Sequence, residues 1–238
     1  MKNELLRVGL VATGSGTDAN SLMDAEAAGR FVEKAEIASL LSTKAGQGCL
    51  DKAKAHNKST KVIDRRDYAK GPEGQEEFEA AVAEWVDEYD LDIIILVGCI
   101  HHIPTNLVSK RTGRRIVVLN IHPARREKHG GHKMYGLAVH EHVLSEVLDQ
   151  IARGFGTIDS TFYTHPEIHR VIENYDHGDV IIQVAVPIPK AIIVKAQTDL
   201  AGAAEDLKDV VLPIEWLMLP AALQIVIQLI QTGNEPSL

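Results

Sequence analysis

Residues 92–97 read Asp-Ile-Ile-Ile-Leu-Val, five large apolar side chains in unbroken succession. A strand with one wet face alternates apolar and polar residues. An unbroken run is covered on both faces, which is the signature of a parallel sheet sandwiched by helices. The flanks agree. Phe78, Ala81, Val82, Trp85, Val86 and Tyr89 recur at helical spacing ahead of it, with acidic residues between them. Behind it, residues 116–119 (Ile-Val-Val-Leu) form a second such run. The alternation continues in both directions: strands are predicted at 8–12, 37–41 and 61–63, helices at 19–28 and 50–55. A helix face follows at Leu137, His140, Leu144, Val147, Leu148 and Ile151. Strands at 160–164 and 180–186 come next, then one or two helices from Leu200 to the end.

Strands alternating with helices predict a single α/β domain, a mainly parallel twisted sheet flanked by helices and Rossmann-like in its first half. It would occupy residues 1–232, with 233–238 as a flexible tail. Among 238 residues, 45% are hydrophobic and 24% charged, which excludes disordered and fibrous classes. The formal charge of -8 disfavours nucleic acid as a partner. Cys49 and Cys99 are too few for a disulfide framework and suit a reducing cytosol. The first seven residues lack a signal-peptide layout. Residues 214–230 are apolar, but Glu215, Pro220, Gln224 and Gln228 interrupt them, and the stretch is shorter than the ~20 residues a bilayer needs. A soluble cytoplasmic protein with no membrane partner is the expectation.

Several motifs carry chemistry. Gly14-Ser15-Gly16-Thr17 lies between the first strand and the first helix. Glycines there let a ligand approach the backbone, and the helix N-terminus offers N–H groups to an anion; a plain tight turn would use the same residues. Neither a full dinucleotide fingerprint nor a Walker A ending is present. In Leu119-Asn120-Ile121-His122-Pro123, Asn120 and His122 project to one side of a strand end. A carboxamide beside an imidazole can stabilise an oxyanion, whereas a capping Asn and a surface His would look alike in sequence. The run His122, His129, His132, His140, His142 invites a metal, yet no paired-cysteine or His-Glu-x-x-His motif supports one, so no metal is expected. Arg125, Arg126 and Lys128 could hold an acidic group or simply be solvated. In Tyr175-Asp176-His177-Gly178-Asp179, two acids sit close enough to act as an acid/base pair, or to form an Asx turn in which Gly178 supplies unusual backbone angles.

Together these pieces resemble the phosphoribosylglycinamide formyltransferases, from Arg7 to about Ile227. The order is the family's: glycine loop, Val97-Gly98, Asn-Ile-His-Pro, Asp-x-Gly, late Glu. Gly130-Gly131-His132-Lys133-Met134-Tyr135-Gly136 and Val139-His140-Glu141 look like the version some members carry. The resemblance implies formyl transfer from 10-formyltetrahydrofolate to the amine of a phosphoribosylated small molecule, glycinamide ribonucleotide, in a monomer or homodimer. It implies that Asn120 and His122 stabilise the oxyanion and that Asp176 orients His122 and assists proton transfer. Gly16, Thr17 and Asp18 would hold the substrate phosphate, and Glu215 its amine or ribose end. The pterin slot would lie by Ile100, His101, His102 and Ile103, with Glu173, Asn174, Tyr175 and the following backbone opposite; Cys99 is expected to pack. This chain departs from the pattern. Asp18 replaces the usual Asn, Arg125-Arg126-Glu127-Lys128 replaces Leu-Leu-Pro-Lys, and His101 replaces an Arg. The usual His-Phe/Trp pair reads as Thr161-Phe162, an extra stretch at 166–172 precedes the Asp loop, and Asp179 replaces a Pro. Another amine acceptor, such as an amino sugar nucleotide, or a binding-only homologue, would share the fold.

Overall fold

A computed structural model describes residues 5–99, 101–131, 134–172 and 178–233. Three strand–helix units and two further strands open the described chain: β1 (Leu6–Ala12), α1 (Thr17–Ala27), β2 (Ala35–Ser42), α2 (Gly48–Ala55), β3 (Ser59–Val62), α3 (Pro72–Glu88), β4 (Ile93–Leu96) and β5 (Val117–His122). Then come the short α4 (Arg126–His129), α5 (Leu137–Ala152), β6 (Tyr163–Thr164), β7 (Glu167–Arg170), β8 (Val180–Gln183), β9 (Val186–Pro187), α6 (Lys190–Ala196) and α7 (Leu200–Thr232). The main sheet has seven strands in the order β3-β2-β1-β4-β5-β7-β8. Its first five run parallel, and β7 pairs antiparallel with both β5 and β8. This is the expected mainly parallel α/β domain.

Both sheet faces are dry, as the isoleucine run requires. Leu10, Ile93, Ile95 and Leu119 pack on one side against Leu22 and Met23 of α1 and Leu219, Leu223 and Val226 of α7. Ile94, Leu96 and Val118 pack on the other against Phe78, Val82 and Trp85 of α3. Trp85 is fully buried and its indole N–H donates to the Ser39 hydroxyl at 3.0 Å, so its one polar atom is satisfied. Each large side chain buried this way stabilises the fold by about 1.5–3 kcal/mol. A third cluster joins α5, α6 and the first half of α7.

α7 is one 33-residue helix that carries Pro213 and Pro220 internally. Among the described residues it is the one helix long and apolar enough to cross a membrane, yet its Met218, Leu219, Leu223 and Val226 are buried in the core. Gly233, expected in the tail, instead closes α7 in a left-handed conformation.

Four expectations change. The strand at 160–164 shrinks to β6, which pairs with β9 in a separate two-stranded sheet. Residues 180–186 break into β8 and the start of β9, and α6 was not foreseen. No strand was expected at 166–172, yet the stretch contains β7, wholly buried between β5 and β8. Its polar letters, Glu-Ile-His-Arg, disguise a core strand: Glu167 meets Arg126 and Gln183, while the buried His169 ring nitrogens have no hydrogen-bond partner among the described residues.

Candidate active site

The strand order reverses between β1 and β4, since β1 leads out to β2 and β3 while β4 leads the other way to β5. Loops leaving the carboxyl ends of such strands part and open a crevice, the usual ligand site of open α/β sheets. The two loops touch at its floor, where the Thr13 N–H donates to the Gly98 carbonyl at 3.3 Å.

The glycine loop forms one wall. Gly16 is the residue before α1 and sits at φ 73, and no side chain caps the helix there. A Cβ on Gly16 would strike Cys49, so glycine is required on both counts. The first N–H groups of α1 therefore face the crevice mouth without a capping oxygen. α7 packs across α1 and brings the late acid in: the Trp216 indole N–H donates to Asp18 Oδ1 at 3.0 Å, and Glu215 is only 6% exposed. Burial, then the Asp18 charge, pushes the Glu215 carboxyl up to about 8. Burial also raises Asp18, against the opposing indole hydrogen bond. Gly16, Thr17, Asp18 and Glu215 thus converge, although half the sequence separates them.

β5 forms the other wall. It runs on past the apolar residues 116–119 and carries Asn120 and His122 at its end, as expected. On the face where Val118 meets α3, the strand turns polar at its carboxyl end, and Asn120 and His122 share that face by the two-residue period. Asn120 lies between Leu96 of β4 and His169 of β7. His122 is 8% exposed, and its Nε2 is 3.0 Å from the His129 carbonyl oxygen. A carbonyl only accepts, so Nε2 carries the proton and Nδ1 is the nitrogen whose protonation can change.

β7 supplies what the sequence reading missed. Cross-strand partners in an antiparallel pair share a face, so Glu167 and His169 join His122 and Asn120 on one polar patch. The histidine beside the Asn is His169, not Thr161-Phe162; Thr161 and Phe162 lie outside the main sheet, and Phe162 packs in the third cluster. The alternation Glu-Ile-His-Arg-Val was the available signal. His169 is fully buried, and burial with Arg126 nearby holds its imidazole down at about 3. Arg126 turns inward to an ion pair with Glu167, Nε to Oε1 3.2 Å, and donates to the Gly178 carbonyl. Gly178 does not adopt a positive φ. It is glycine because a Cβ there would run into the Arg170 carbonyl.

On the far side of β4, His101 meets the Phe78 ring edge-on at 6.2 Å, and His102 Nδ1 pairs with Glu79 at 2.9 Å. Ile103 is fully buried in the α3-side core, so only its backbone can face a ligand. Cys99 packs against the same core, and burial pushes its thiol up to about 12. Ile100, Glu173, Asn174, Tyr175 and Asp176 lie outside the described residues. The other histidines separate by role. His140 is buried on α5, while His142 Nδ1 contacts His129 Nδ1 at 3.0 Å. Among the described residues, no three His, Cys, Asp or Glu side chains are grouped to hold a metal ion.

The chain and its fold have known relatives. A family profile described as formyl transferase matches residues 6–208. The trifunctional purine biosynthetic protein adenosine-3 of Chironomus tentans is 30% identical over 199 residues, 84% of this chain but 13% of that protein. The chain thus spans only a small part of such curated relatives. The crystal structure of phosphoribosylglycinamide formyltransferase from Brucella melitensis superposes with a TM-score of 0.65 at 28% identity, covering 99% of this chain and 98% of that one. Glycinamide ribonucleotide transformylase 1 from Symbiobacterium toebii shares the fold with a TM-score of 0.68, at 24% identity over 96% of this chain and 89% of its own.

Proposed function

Because the chain belongs to the formyl transferase family, we propose that it moves a formyl group from 10-formyltetrahydrofolate to the amine of glycinamide ribonucleotide, a step of purine synthesis in the cytoplasm. The observation that carries this reading is the pairing of Asn120 and His122 on one strand face, with the His122 proton fixed on Nε2 by the His129 carbonyl. Folate supplies an activated formyl carbon when bound. The residues at 101–103 fit a flat heterocycle through their backbone, since Ile103 is buried and His101 already leans on Phe78.

As the acceptor amine adds to the formyl carbon, negative charge grows on the formyl oxygen. The Asn120 amide donates to that oxygen, and a cationic His122 adds a second charge-assisted donor. On the family resemblance, Asp176 would keep His122 cationic and take the amine proton on its way to the departing tetrahydrofolate nitrogen. The substrate phosphate rests on the uncapped start of α1 at Gly16, Thr17 and Asp18. The Asp18 carboxylate would oppose a phosphate, but the Trp216 indole occupies one of its oxygens and burial favours its neutral form. Glu215, neutral at pH 7 by the same logic, can donate to a ribose hydroxyl.

The test is tetrahydrofolate release from 10-formyltetrahydrofolate with and without glycinamide ribonucleotide. Ribonucleotide-dependent release that falls by about 10²–10³-fold in His122→Ala supports the reading, in line with the loss of an oxyanion donor. Release that ignores the ribonucleotide, or survives His122→Ala, overturns it.

A further inference from the structure

The basic run at 125–128 divides in the fold. Arg126 is spent inward on Glu167 and the Gly178 carbonyl. Lys128 reaches Glu146 at 3.0 Å. Arg125 does neither: it is half-buried, and its guanidinium has no carboxylate or carbonyl partner among the described residues. It lines a cavity of about 250 Å³ between α4, α5 and residues 161–165. Lys128, His129, Glu146, Tyr163 and His165 share that lining.

The charge balance of the cavity is positive. Glu146, its one carboxylate, is already claimed by Lys128 at 3.0 Å, His129 at 3.1 Å and Gln150 at 3.2 Å. The imidazoles add no charge at neutral pH: burial holds His129 down at about 4, and burial, then Arg125 and Lys128, lowers His165. One guanidinium therefore stands over a part-polar cavity with no side-chain or carbonyl partner among the described residues. A planar fork of N–H donors matches the paired oxygens of a carboxylate or phosphate. At ~30 Å³ per water, the space equals roughly eight waters, enough for such a group on a short carbon skeleton. This cavity is separate from the crevice at the β1–β4 switch point, and its lining includes neither Asn120 nor His122.

We propose that the α4–α5 cavity is a second ligand site, one that holds a small oxyanion, phosphate or carboxylate, on Arg125. Backbone contacts tie it to the reaction centre: the Arg125 carbonyl accepts from the His129 N–H at 2.9 Å, and the His129 carbonyl in turn accepts from His122 at 3.0 Å. An anion seated on Arg125 lies two hydrogen bonds from His122.

Histidine-labelled NMR on the full chain tests this, with inorganic phosphate and malonate as probes and sodium chloride at matched ionic strength as control. The His165 resonance, assigned with His165→Gln, reports this cavity and not the α1 N-terminus, where phosphate also binds under the proposed function. Either probe should move that resonance saturably with Kd of ~1 mM or tighter. It should also raise the His165 pKa by ~0.5–1 unit, because the anion offsets Arg125 and Lys128. A response to phosphate alone would identify a phosphate ester, and one to malonate alone a carboxylate. Arg125→Ala should abolish the response and Arg125→Lys keep a weakened one. Arg125 has no partner to lose among the described residues, so both variants should fold. No saturable shift beyond the chloride control, or the same shift in Arg125→Ala, overturns the proposal.

Discussion

At the scale of single residues, the site depends on one acid, Glu215, kept neutral by burial. Glu215 has a folded pKa of about 8 against an ordinary 4.5. Between those values the folded chain keeps a proton that the unfolded chain has lost. The contribution of this side chain to stability therefore falls as pH rises, by at most ~1.4 kcal/mol per pH unit. Glu215→Gln removes the titration while keeping the shape. Urea unfolding should show the variant gaining on the parent steadily from pH 5 to pH 8; a constant gap would mean that Glu215 is charged in the fold. Asp18, the second cause of the shift, shows what spacing in sequence hides. Read alone, it is a charge in the wrong place for a phosphate loop. Only the long reach from α7 brings Trp216 and Glu215 to it, and no local pattern records that contact.

At the scale of elements, β7 is the informative strand. Arg126 and Glu167 are 8% and 1% exposed and form a buried pair. Removing one partner strands a charge in the interior, so Arg126→Met should cost ~3–5 kcal/mol, whereas Arg126→Met with Glu167→Leu should cost far less. A double-mutant cycle by chemical denaturation measures the coupling; additive losses would show that the pair does not act as a unit. The same strand explains where sequence reading stopped. The isoleucine run of β4 was legible because a strand buried on both faces by helices must be apolar. Asn120 and His122 were legible because period two puts them on one face. β7 was not: Glu167, His169 and Arg170 look like loop letters, and their partners Arg126, Asn120 and Asp179 come from other elements. Gly178 was flagged for its backbone angles, but the constraint is the Arg170 carbonyl packed against it, a contact across strands.

At the scale of the whole molecule, buried imidazoles set the acid limit. His129, His140 and His169 are 5%, 3% and 0% exposed. Burial, the largest cause for each, holds them at about 4, about 4 and about 3, below the ordinary 6.5. Below pH 6.5 the unfolded chain binds protons that the folded chain refuses, so their stabilising contribution is present above that pH and lost as pH falls. Three such sites lose up to ~4 kcal/mol per pH unit, against the single opposing proton of Glu215. The acid effect therefore wins below pH 6.5, and above it Glu215 pulls gently the other way. Stability should peak near neutral pH, with a steep acid limb. Urea unfolding from pH 4.5 to 8.5 tests this, and His140→Gln or His169→Gln should each flatten the acid limb by one proton's slope. An acid limb unchanged in both variants would show that carboxylates, not these histidines, unfold the chain. His169 lies in the β5–β7 pair that carries His122, and His129 bonds to His122 through its carbonyl, so the same acidification acts on the site. Activity should then fall on the acid side no later than stability does.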